Sequence, residues 1–309
     1  RVINKKLNNQ NNHLVIEPNN SFKNHLESLS HDLGFNLYMG IISDKPMSNR
    51  ISECKRLVKA IKRNKVKYLL WNRNFLPSLI QAKEKIKLKE IGDIFSIHVD
   101  FYFAKDAGPI KGSRKKINAP INWLDRQLDA HADGSDGGVG LTPLGELQIE
   151  GIYPLGYINY LTELKIKNVY ATTATHFHQA NVDNNVEDLA LVSFEMESGV
   201  LGSMSIGRIG AASHPDIGEI KIHILGSKGG MVISEARPEV SIYYRDQPKT
   251  EFKNERIANE NDYLLMQNFL EAIENDSKTI LNENDGLYIS KVVDSCIESS
   301  KQDKTLKIK

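Results

Sequence analysis

Strand-like and helix-like segments alternate through the first part of this chain, and that alternation limits its fold more than any other feature. Short apolar runs typical of buried strands are separated by segments whose apolar residues have helical spacing. In residues 49–64, for example, Ile51, Cys54, Val58 and Ile61 recur on one face of a helix. The predicted strands are 13–16, 37–42 and 66–71, and the predicted helices are 21–31 and 49–64. This alternation indicates a parallel sheet with crossover helices.

The pattern changes after about residue 90, where strands follow one another with short turns between them. The predicted strands are 95–103, 168–178, 188–197, 200–208, 218–225 and 230–234, and the predicted helices are 145–162, 262–275 and 286–300. Neighbouring strands joined by tight turns pair antiparallel. The predicted fold class is therefore α/β followed by α+β, with a large antiparallel sheet in the second part.

The composition argues against several classes of function. The 309 residues include 40 basic and 39 acidic side chains, so a net charge of +1 favours neither nucleic acid nor an anionic membrane as a partner. No apolar run approaches the ~20 residues that a membrane-spanning helix needs. Cys54 and Cys296 form no spaced motif, which favours a reducing cytoplasm and gives no cysteine metal site. His176 and His178 are predicted to share a strand face, but they lack a third ligand at suitable spacing, so we predict no metal site.

Two segments carry side chains suited to proton transfer. The sequence Asp44-Lys45-Pro46 follows the predicted strand 37–42, and open α/β sheets bind ligands at the carboxyl ends of their strands. Tyr153, on the predicted helix 145–162, is a candidate partner for Lys45. Because a nearby ammonium stabilises a phenolate, we expect Lys45 to lower the pKa of Tyr153 and to make it a general acid or base. The alternative from these residues alone is a surface lysine and a buried aromatic side chain.

Six short motifs occur in an order that resembles one known family. They are Val15-Ile16-Glu17-Pro18-Asn19, Asp44-Lys45-Pro46, Trp71 to Pro77, Glu90-Ile91-Gly92-Asp93-Ile94, Gly145 to Leu161, and Ser299-Ser300-Lys301. From about residue 13 onward their order is similar to that of the glucose–fructose oxidoreductase / inositol dehydrogenase / MocA family of NAD(P)-dependent sugar oxidoreductases. The resemblance implies that residues 1–75 are the C-terminal part of a Rossmann-like NAD(P)-binding domain. It also implies that residues 76–309 are an α+β domain with a mostly antiparallel open sheet, which binds substrate and forms oligomers.

The resemblance also implies an activity. We expect hydride transfer between NAD or NADP and a hydroxyl or carbonyl group of a sugar, polyol or nucleotide sugar. We expect a cytoplasmic homodimer or homotetramer that packs through the open sheet, in residues 165–245. The alternative is a non-catalytic protein that senses a sugar or the cofactor on the same scaffold.

Particular residues receive roles from the same motifs. The catalytic candidates are Lys45 and Tyr153, the cofactor-binding candidates are Pro18, Asn19, Asp44, Lys45 and Pro46, and the substrate-binding candidates are Arg73, Tyr157, Arg208 and His214. For Pro18 and Asn19 the alternative is an ordinary turn, and for Arg73 it is a surface arginine.

Three positions of the predicted active-site helix depart from the family pattern. Many members have an Asp, a His and a second Asp where this chain has Ile149, Tyr153 and Gly156. The chain is closer to the branch that includes glucose–fructose oxidoreductase and uses Tyr in place of His, although an Asp is usual there at the position of Ile149. Glu150 is adjacent, but we expect it to point elsewhere on the helix.

The Gly-x-Gly-x-x-Gly turn with which the family begins is not found in this sequence. The glycine clusters at 134–140 and 226–230 do not join a strand to a helix in a parallel unit. Three explanations stay open: a segment of the natural protein that precedes these residues, a natural loss that leaves an inactive copy, or a partner chain that supplies the missing half. The residue that distinguishes NAD from NADP belongs to the same part of the family pattern, so we expect either cofactor.

Overall fold

The computed structural model describes much of the chain from Gly40 onward. The described residues are 40–48, 50–102, 124, 128–129, 132, 143–176, 178–208, 219–234, 239–245, 248–253 and 258–309. Their elements are β1 (Gly40–Ser43), α1 (Ile51–Asn64), β2 (Lys67–Leu70), α2 (Pro77–Lys87), β3 (Ile94–Tyr102), α3 (Glu146–Glu150), α4 (Ile152–Thr162), β4 (Ile166–Ala174), α5 (Gln179–Asn184), β5 (Leu189–Met196), β6 (Leu201–Gly207), β7 (Glu219–Gly226), β8 (Gly229–Ser234), β9 (Glu239–Tyr244), β10 (Thr250–Lys253), α6 (Ala258–Glu274), α7 (Glu283–Gln302) and β11 (Leu306–Lys307).

A parallel pair of strands opens the described part of the chain, as the alternating pattern predicts. β1 and β2 pair in parallel, with Ser43 opposite Leu70. α1 connects them and buries an apolar face that includes Cys54 and Val58. This strand–helix–strand unit places the ends of both strands at the same edge. The predictions for residues 13–39 lie outside the described residues.

Nine strands form one large sheet, in the order β10-β9-β8-β7-β3-β6-β5-β4-β11. Every neighbouring pair in it is antiparallel except β3 and β6, which run parallel. Ile97, Val99 and Phe101 of β3 are directed into the core, while His98 between them is exposed on the opposite face. The predicted large, mostly antiparallel open sheet is therefore confirmed.

β4 ends earlier than the sequence predicts. The backbone N–H groups of His176 and His178 donate to the carboxylate of Asp188 at 2.9 and 3.1 Å. Because a side chain binds these groups, they do not continue the strand ladder, and the chain turns into α5. The prediction that both histidines lie on one strand face is therefore wrong.

Other elements lack the pattern by which a sequence reveals them. The prediction omits α2, α5, β9, β10 and β11. The buried face of α2 includes Ser78 and Lys83, so its apolar residues alone do not trace a helical face. β10 and β11 have only 4 and 2 residues, too few to display the alternation of a strand.

The last helix of the chain ties the two parts of the fold together. Gly286 of α7 faces Met47 and Leu70, so α7 covers the parallel strand pair. Near the other end of α7, the hydroxyl of Ser299 accepts the N–H of Ala171 on β4 at 3.0 Å. The segment that matches the closing Ser-Ser-Lys motif therefore fastens α7 to the large sheet.

Candidate active site

Lys45 lies directly beyond the carboxyl end of β1. Its backbone N–H donates to the carboxylate of Asp44 at 2.7 Å, and the Lys45–Pro46 peptide is cis. The ammonium nitrogen lies 2.8 Å from Oε1 of Glu150, and the Lys45 side chain is 11% exposed. The end of β1 therefore brings a partly solvated cation to the predicted active-site helix.

That helix is divided into α3 and α4 at Gly151. Pro154 has no N–H, so the carbonyl of Glu150, four residues earlier, lacks its helical donor. Gly151 nevertheless keeps helical dihedral angles, φ −58° and ψ −22°, so the helical register continues across the break. Residues three and four apart therefore still share a face. The residues with this spacing are Glu146, Glu150, Tyr153 and Tyr157.

Tyr153 is surrounded by two cations and an aromatic ring. The Nζ atom of Lys45 lies 5.4 Å from the centroid of its ring, and the Cζ atom of Arg73 lies 5.1 Å from it. The ring of Phe101 on β3 stacks on it, with a centroid distance of 5.8 Å and an interplanar angle of 24°. The structure thus brings Lys45, Tyr153 and Arg73 together from three separate segments of the chain.

The acidity of Tyr153 differs from the expectation. Burial raises the pKa of its hydroxyl above the usual range, and the charge of Glu150 raises it further, although Arg73 opposes both effects. The expected lowering of this pKa is therefore wrong for the protein in this state. The cause is that a 7% exposed phenol loses hydration that its anion needs. Tyr153 is thus a phenol that retains its proton.

A buried charge cluster, formed by Lys45, Glu146, Glu150 and Arg208, adjoins Tyr153. Oε1 of Glu150 lies 2.8 Å from Nζ of Lys45 and 2.9 Å from Nη2 of Arg208. Nε of Arg208 donates to Oε1 of Glu146 at 2.7 Å. The side chains of Arg208 and Glu146 are each 4% exposed. Two cations thus face two carboxylates in a largely buried site.

The two carboxyl groups of the cluster differ in acidity. Burial acts to raise the pKa of Glu150, but Lys45 and Arg208 outweigh it, so this pKa is lowered. Burial raises the pKa of Glu146 to about 7, while Arg208 opposes the rise and the charge of Glu150 adds to it. Oε2 of Glu146 has no hydrogen-bond partner among the described residues. Glu150 is therefore the firmly ionised member, and Glu146 is the one that titrates near neutral pH.

The expectation that Glu150 points away from the site is wrong. Glu150 precedes Tyr153 by three residues and Ile149 precedes it by four, so both positions flank Tyr153 on a helix. Ile149 packs into the core and is 1% exposed, whereas Glu150 reaches Lys45. The spacing of Glu146, Glu150 and Tyr153 is the signal in the sequence that identifies this acidic face.

A corner of buried amide side chains positions Arg73 after the end of β2. Asn72 donates to the carbonyl of Leu70 at 2.8 Å and accepts the N–H of Asn74 at 3.0 Å. Asn261 of α6 donates to the carbonyl of Asn72 at 3.0 Å. These bonds fix the backbone on both sides of Arg73, a partly exposed residue whose guanidinium lies over Tyr153.

The other predicted substrate contacts lie in different surroundings. Tyr157 is fully buried, and its ring lies 6.1 Å from that of Phe101. Arg208 is directed into the buried charge cluster, not toward a position open to a substrate. Pro18, Asn19 and His214 lie outside the described residues.

His178 contacts the backbone of Arg208. His178 is buried, and its Nε2 atom contacts the carbonyl oxygen of Arg208. Within the described ranges, no group of three or more His, Cys, Asp or Glu residues is arranged to bind a metal ion. His178 therefore contributes to positioning the cluster.

The chain belongs to the glucose–fructose oxidoreductase / inositol dehydrogenase / MocA oxidoreductase family. The family model for "Oxidoreductase family, C-terminal alpha/beta domain" matches residues 83–308, which is well over half of the chain. The match extends from α2 to the end of the large sheet and includes Tyr153 and the carboxylates of the buried charge cluster. Comparison with curated proteins gave no match.

Solved structures of similar fold include several oxidoreductases. Levoglucosan dehydrogenase in complex with NADH is 18% identical, with a TM-score of 0.72 over 92% of this chain and 76% of that one. An oxidoreductase from Agrobacterium radiobacter in complex with NAD+, L-tartaric acid and magnesium is 14% identical, with a TM-score of 0.67 over 92% and 76%. The WlbA dehydrogenase from Bordetella pertussis, in complex with NADH and UDP-GlcNAcA, is 18% identical, with a TM-score of 0.63 over 87% and 72%. At these identities the likeness establishes a shared fold.

No helix formed by the described residues is both long enough and apolar enough to cross a bilayer.

Proposed function

We propose that this protein is an NAD(P)-dependent oxidoreductase that acts on a hydroxyl or carbonyl group of a sugar, polyol or nucleotide sugar. The observation that carries the proposal is the proximity of Lys45 and Tyr153, with the ammonium 5.4 Å from the ring centroid at the carboxyl end of a parallel strand. Open α/β sheets bind their ligands at this position. A cation and a phenol are groups that can exchange a proton with a hydroxyl.

The segment after β1 fits a nicotinamide cofactor as far as the described residues extend. Asp44, Lys45 and Pro46 are all partly exposed where β1 ends. We assign these residues to the cofactor site, together with Pro18 and Asn19, and we propose either NAD or NADP. When bound, nicotinamide supplies hydride transfer, whereas the protein supplies orientation and electrostatics.

The geometry suggests how the proton moves. In the direction of reduction, the phenol of Tyr153 donates its proton to the carbonyl oxygen of the substrate while the carbonyl carbon accepts hydride. In the direction of oxidation, Tyr153 would first have to lose its proton; its phenolate would then accept the hydroxyl proton, while nicotinamide, when bound, would take the hydride. Lys45 stabilises the phenolate, and we expect this effect to matter most when the substrate displaces water from the site.

Arg73 is the proposed substrate contact with the best placement, because the residue is partly exposed and its guanidinium lies over Tyr153. Tyr157 and Arg208 are buried, so we propose that they shape the wall of the substrate site instead of facing solvent. His214 stays a candidate contact. The compounds bound in similar structures include levoglucosan, L-sorbose and UDP-GlcNAcA, which supports a sugar-like ligand.

The first experiment is the thermal midpoint of the full chain with and without NAD(H) and NADP(H). A cofactor at a hundred times its Kd is expected to stabilise the folded state by about 2.7 kcal/mol. The cofactor that raises the midpoint is then used to screen sugars, polyols and nucleotide sugars for turnover. Tyr153→Phe is expected to reduce turnover by at least ~100-fold with an unchanged midpoint. Full turnover in this variant would remove Tyr153 from the reaction.

A non-catalytic sensor of a sugar or of the cofactor is the second candidate. It is favoured by Ile149, which is buried where the family usually has an Asp. A sensor would bind cofactor or sugar in the thermal assay and yet turn over none of the substrates. Turnover that depends on Tyr153 would exclude it.

We further propose a cytoplasmic homodimer or homotetramer that packs through the open sheet within residues 165–245. Support comes from the exposed apolar side chains on that face. They are Tyr170, Leu191, Leu201, Leu225 and Tyr243. Both cysteines are buried and free, which suits a reducing compartment. We also propose a domain boundary near residue 75.

A further inference from the structure

Glu150 makes a contact that neither the family resemblance nor the proposed reaction assigns. Its Oε1 atom accepts from the ammonium of Lys45 at 2.8 Å and from Nη2 of Arg208 at 2.9 Å. The three residues come from the turn after β1, from the end of α3 and from the residue after β6. One carboxylate thus connects both parts of the fold at the candidate site.

The position of Glu150 is fixed by a chain of contacts that leads away from the site. Arg208 grips Glu146 and Glu150 with different nitrogens, one helical turn apart. The backbone N–H of Arg208 donates to the carbonyl of Asp188 at 3.2 Å, and the ring of His178 contacts the carbonyl of Arg208. The planar guanidinium therefore fixes the direction of both carboxylates.

The side chain of Lys45 requires a contact that fixes its position. This side chain has a flexible four-carbon stem, and holding that stem in one rotamer has a substantial entropic cost. The ammonium lies 5.4 Å from the centroid of the Tyr153 ring, and such a contact with a ring face is weak and poorly directional. The hydrogen bond to a buried carboxylate is both stronger and more directional.

We propose that Glu150 is a positioning residue that fixes the ammonium of Lys45 beside Tyr153, with Arg208 as its anchor. The inference rests on the proposed function for its consequence, since the position of Lys45 matters to catalysis only if Lys45 and Tyr153 carry the reaction. The contact itself belongs to the protein without cofactor, so it is testable without turnover.

The test compares the reactivity of individual lysines in the full chain toward acetic anhydride, measured by mass spectrometry across pH 7–10. In Glu150→Gln we expect the acetylation rate of Lys45 to rise at least about threefold, because a charged hydrogen bond is lost. Lys83, which is paired with Glu163 at 2.6 Å, serves as the internal reference and keeps its rate. Glu163→Gln is expected to give the reverse pattern.

Glu146→Gln is the matched control for general loosening. Glu146 lies on the same helical face and is similarly buried, and its charge also acts on Lys45, but the carboxylate hydrogen-bonded to Lys45 at 2.8 Å is that of Glu150. The proposal is overturned if Lys45 reacts at the wild-type rate in Glu150→Gln, or if Glu146→Gln accelerates it equally. If Glu150→Gln does not fold, Glu150→Gln/Arg208→Gln removes one carboxylate and one cation together, so the charges of the cluster stay balanced, and the same criterion applies.

Turnover supplies the second readout. With a cofactor and sugar that the wild type converts, Glu150→Gln is expected to lower kcat at least about tenfold with little change in KM, and Glu150→Asp to restore part of it. An equal loss in Glu150→Asp and Glu150→Gln would contradict positioning. If the wild type converts no sugar, the proposed function fails while lysine acetylation still decides the role of Glu150.

Discussion

Glu146 and Glu150 occupy successive turns of one helix, yet their surroundings give them opposite acidities. Glu150 touches two cations, which lower its pKa in spite of burial. Glu146 pairs with the guanidinium of Arg208 at 2.7 Å, but burial prevails, so its pKa rises. The balance between desolvation and ion pairing therefore decides which carboxyl retains a proton.

The raised pKa of Glu146 predicts a specific dependence of stability on pH. In the unfolded chain this carboxyl titrates near its ordinary value of 4.5, and in the folded protein at about 7. Its contribution to the free energy of unfolding is therefore complete below the lower value and is lost as the pH rises through the upper one. Urea unfolding at pH 5 and pH 8 measures this change.

Glu146→Gln isolates that contribution, because the other titrating groups are common to both proteins. The unfolding free energy of the wild type, taken relative to that of the variant, is expected to fall by roughly 1–3 kcal/mol between pH 5 and pH 8. A difference that stays constant or grows with pH would contradict the raised pKa.

Arg208 is expected to contribute strongly to the free energy of unfolding, because it pairs with two buried carboxylates. Arg208→Met leaves two buried carboxylates with one cation, and we expect a loss of about 3–5 kcal/mol in unfolding free energy. The control is Arg50→Met, because Arg50 is 59% exposed and pairs with an exposed Glu53 at 3.9 Å. That exposed pair is expected to contribute at most ~1 kcal/mol. Similar losses in both variants would show that the cluster contributes little.

At the scale of elements, close packing of a side chain against the backbone explains the glycine at position 202, which the hydrophobic pattern of β6 does not. Gly202 in β6 leaves room for the ring of Phe194 on the adjacent strand. A Cβ atom at position 202 would lie 2.2 Å from that ring and 2.7 Å from the carbonyl oxygen of Ile97. β6 lies between β3 and β5 in the sheet, so neither neighbour is free to withdraw.

Gly202→Ala is therefore expected to destabilise the sheet by roughly 1–3 kcal/mol, as overpacking of a well-filled interior does. Gly230→Ala in β8 is the matched control, because its Cβ would meet its nearest atom at an ordinary 3.4 Å. Chemical denaturation of both variants measures the difference. An equal effect at the two positions would indicate strand propensity as the cause, not the clash.

At the scale of the whole molecule, the large sheet has one face in the core and one partly exposed. The exposed face mixes polar residues with apolar ones such as Leu191, which is 52% exposed, and Leu201, which is 60% exposed. An antiparallel sheet tolerates a solvated face, but apolar side chains on it favour a partner surface.

Leu201→Glu is expected to convert the proposed homodimer or homotetramer to a smaller species at micromolar concentration, measured by light scattering. A charge at the centre of a desolvated interface lacks a partner and opposes association. Leu88→Glu is the control, since Leu88 is 70% exposed but follows the last residue of α2, outside residues 165–245. A wild-type monomer, or equal dissociation in both variants, would rule out association through the open face.

The sequence alone determined the class of fold, because the change from helical spacing to strand alternation is a local pattern that is visible in one sequence. It also determined that Lys45 follows a strand and that Tyr153 lies on a helix. Tertiary structure decided that the two meet, that β3 pairs in parallel with β6, and that Arg208 faces two carboxylates. It also decided that the pKa of Tyr153 is raised, because acidity depends on burial and on charges that only folding brings together. Periodicity records which face of an element is buried, whereas partners and solvation exist only after folding.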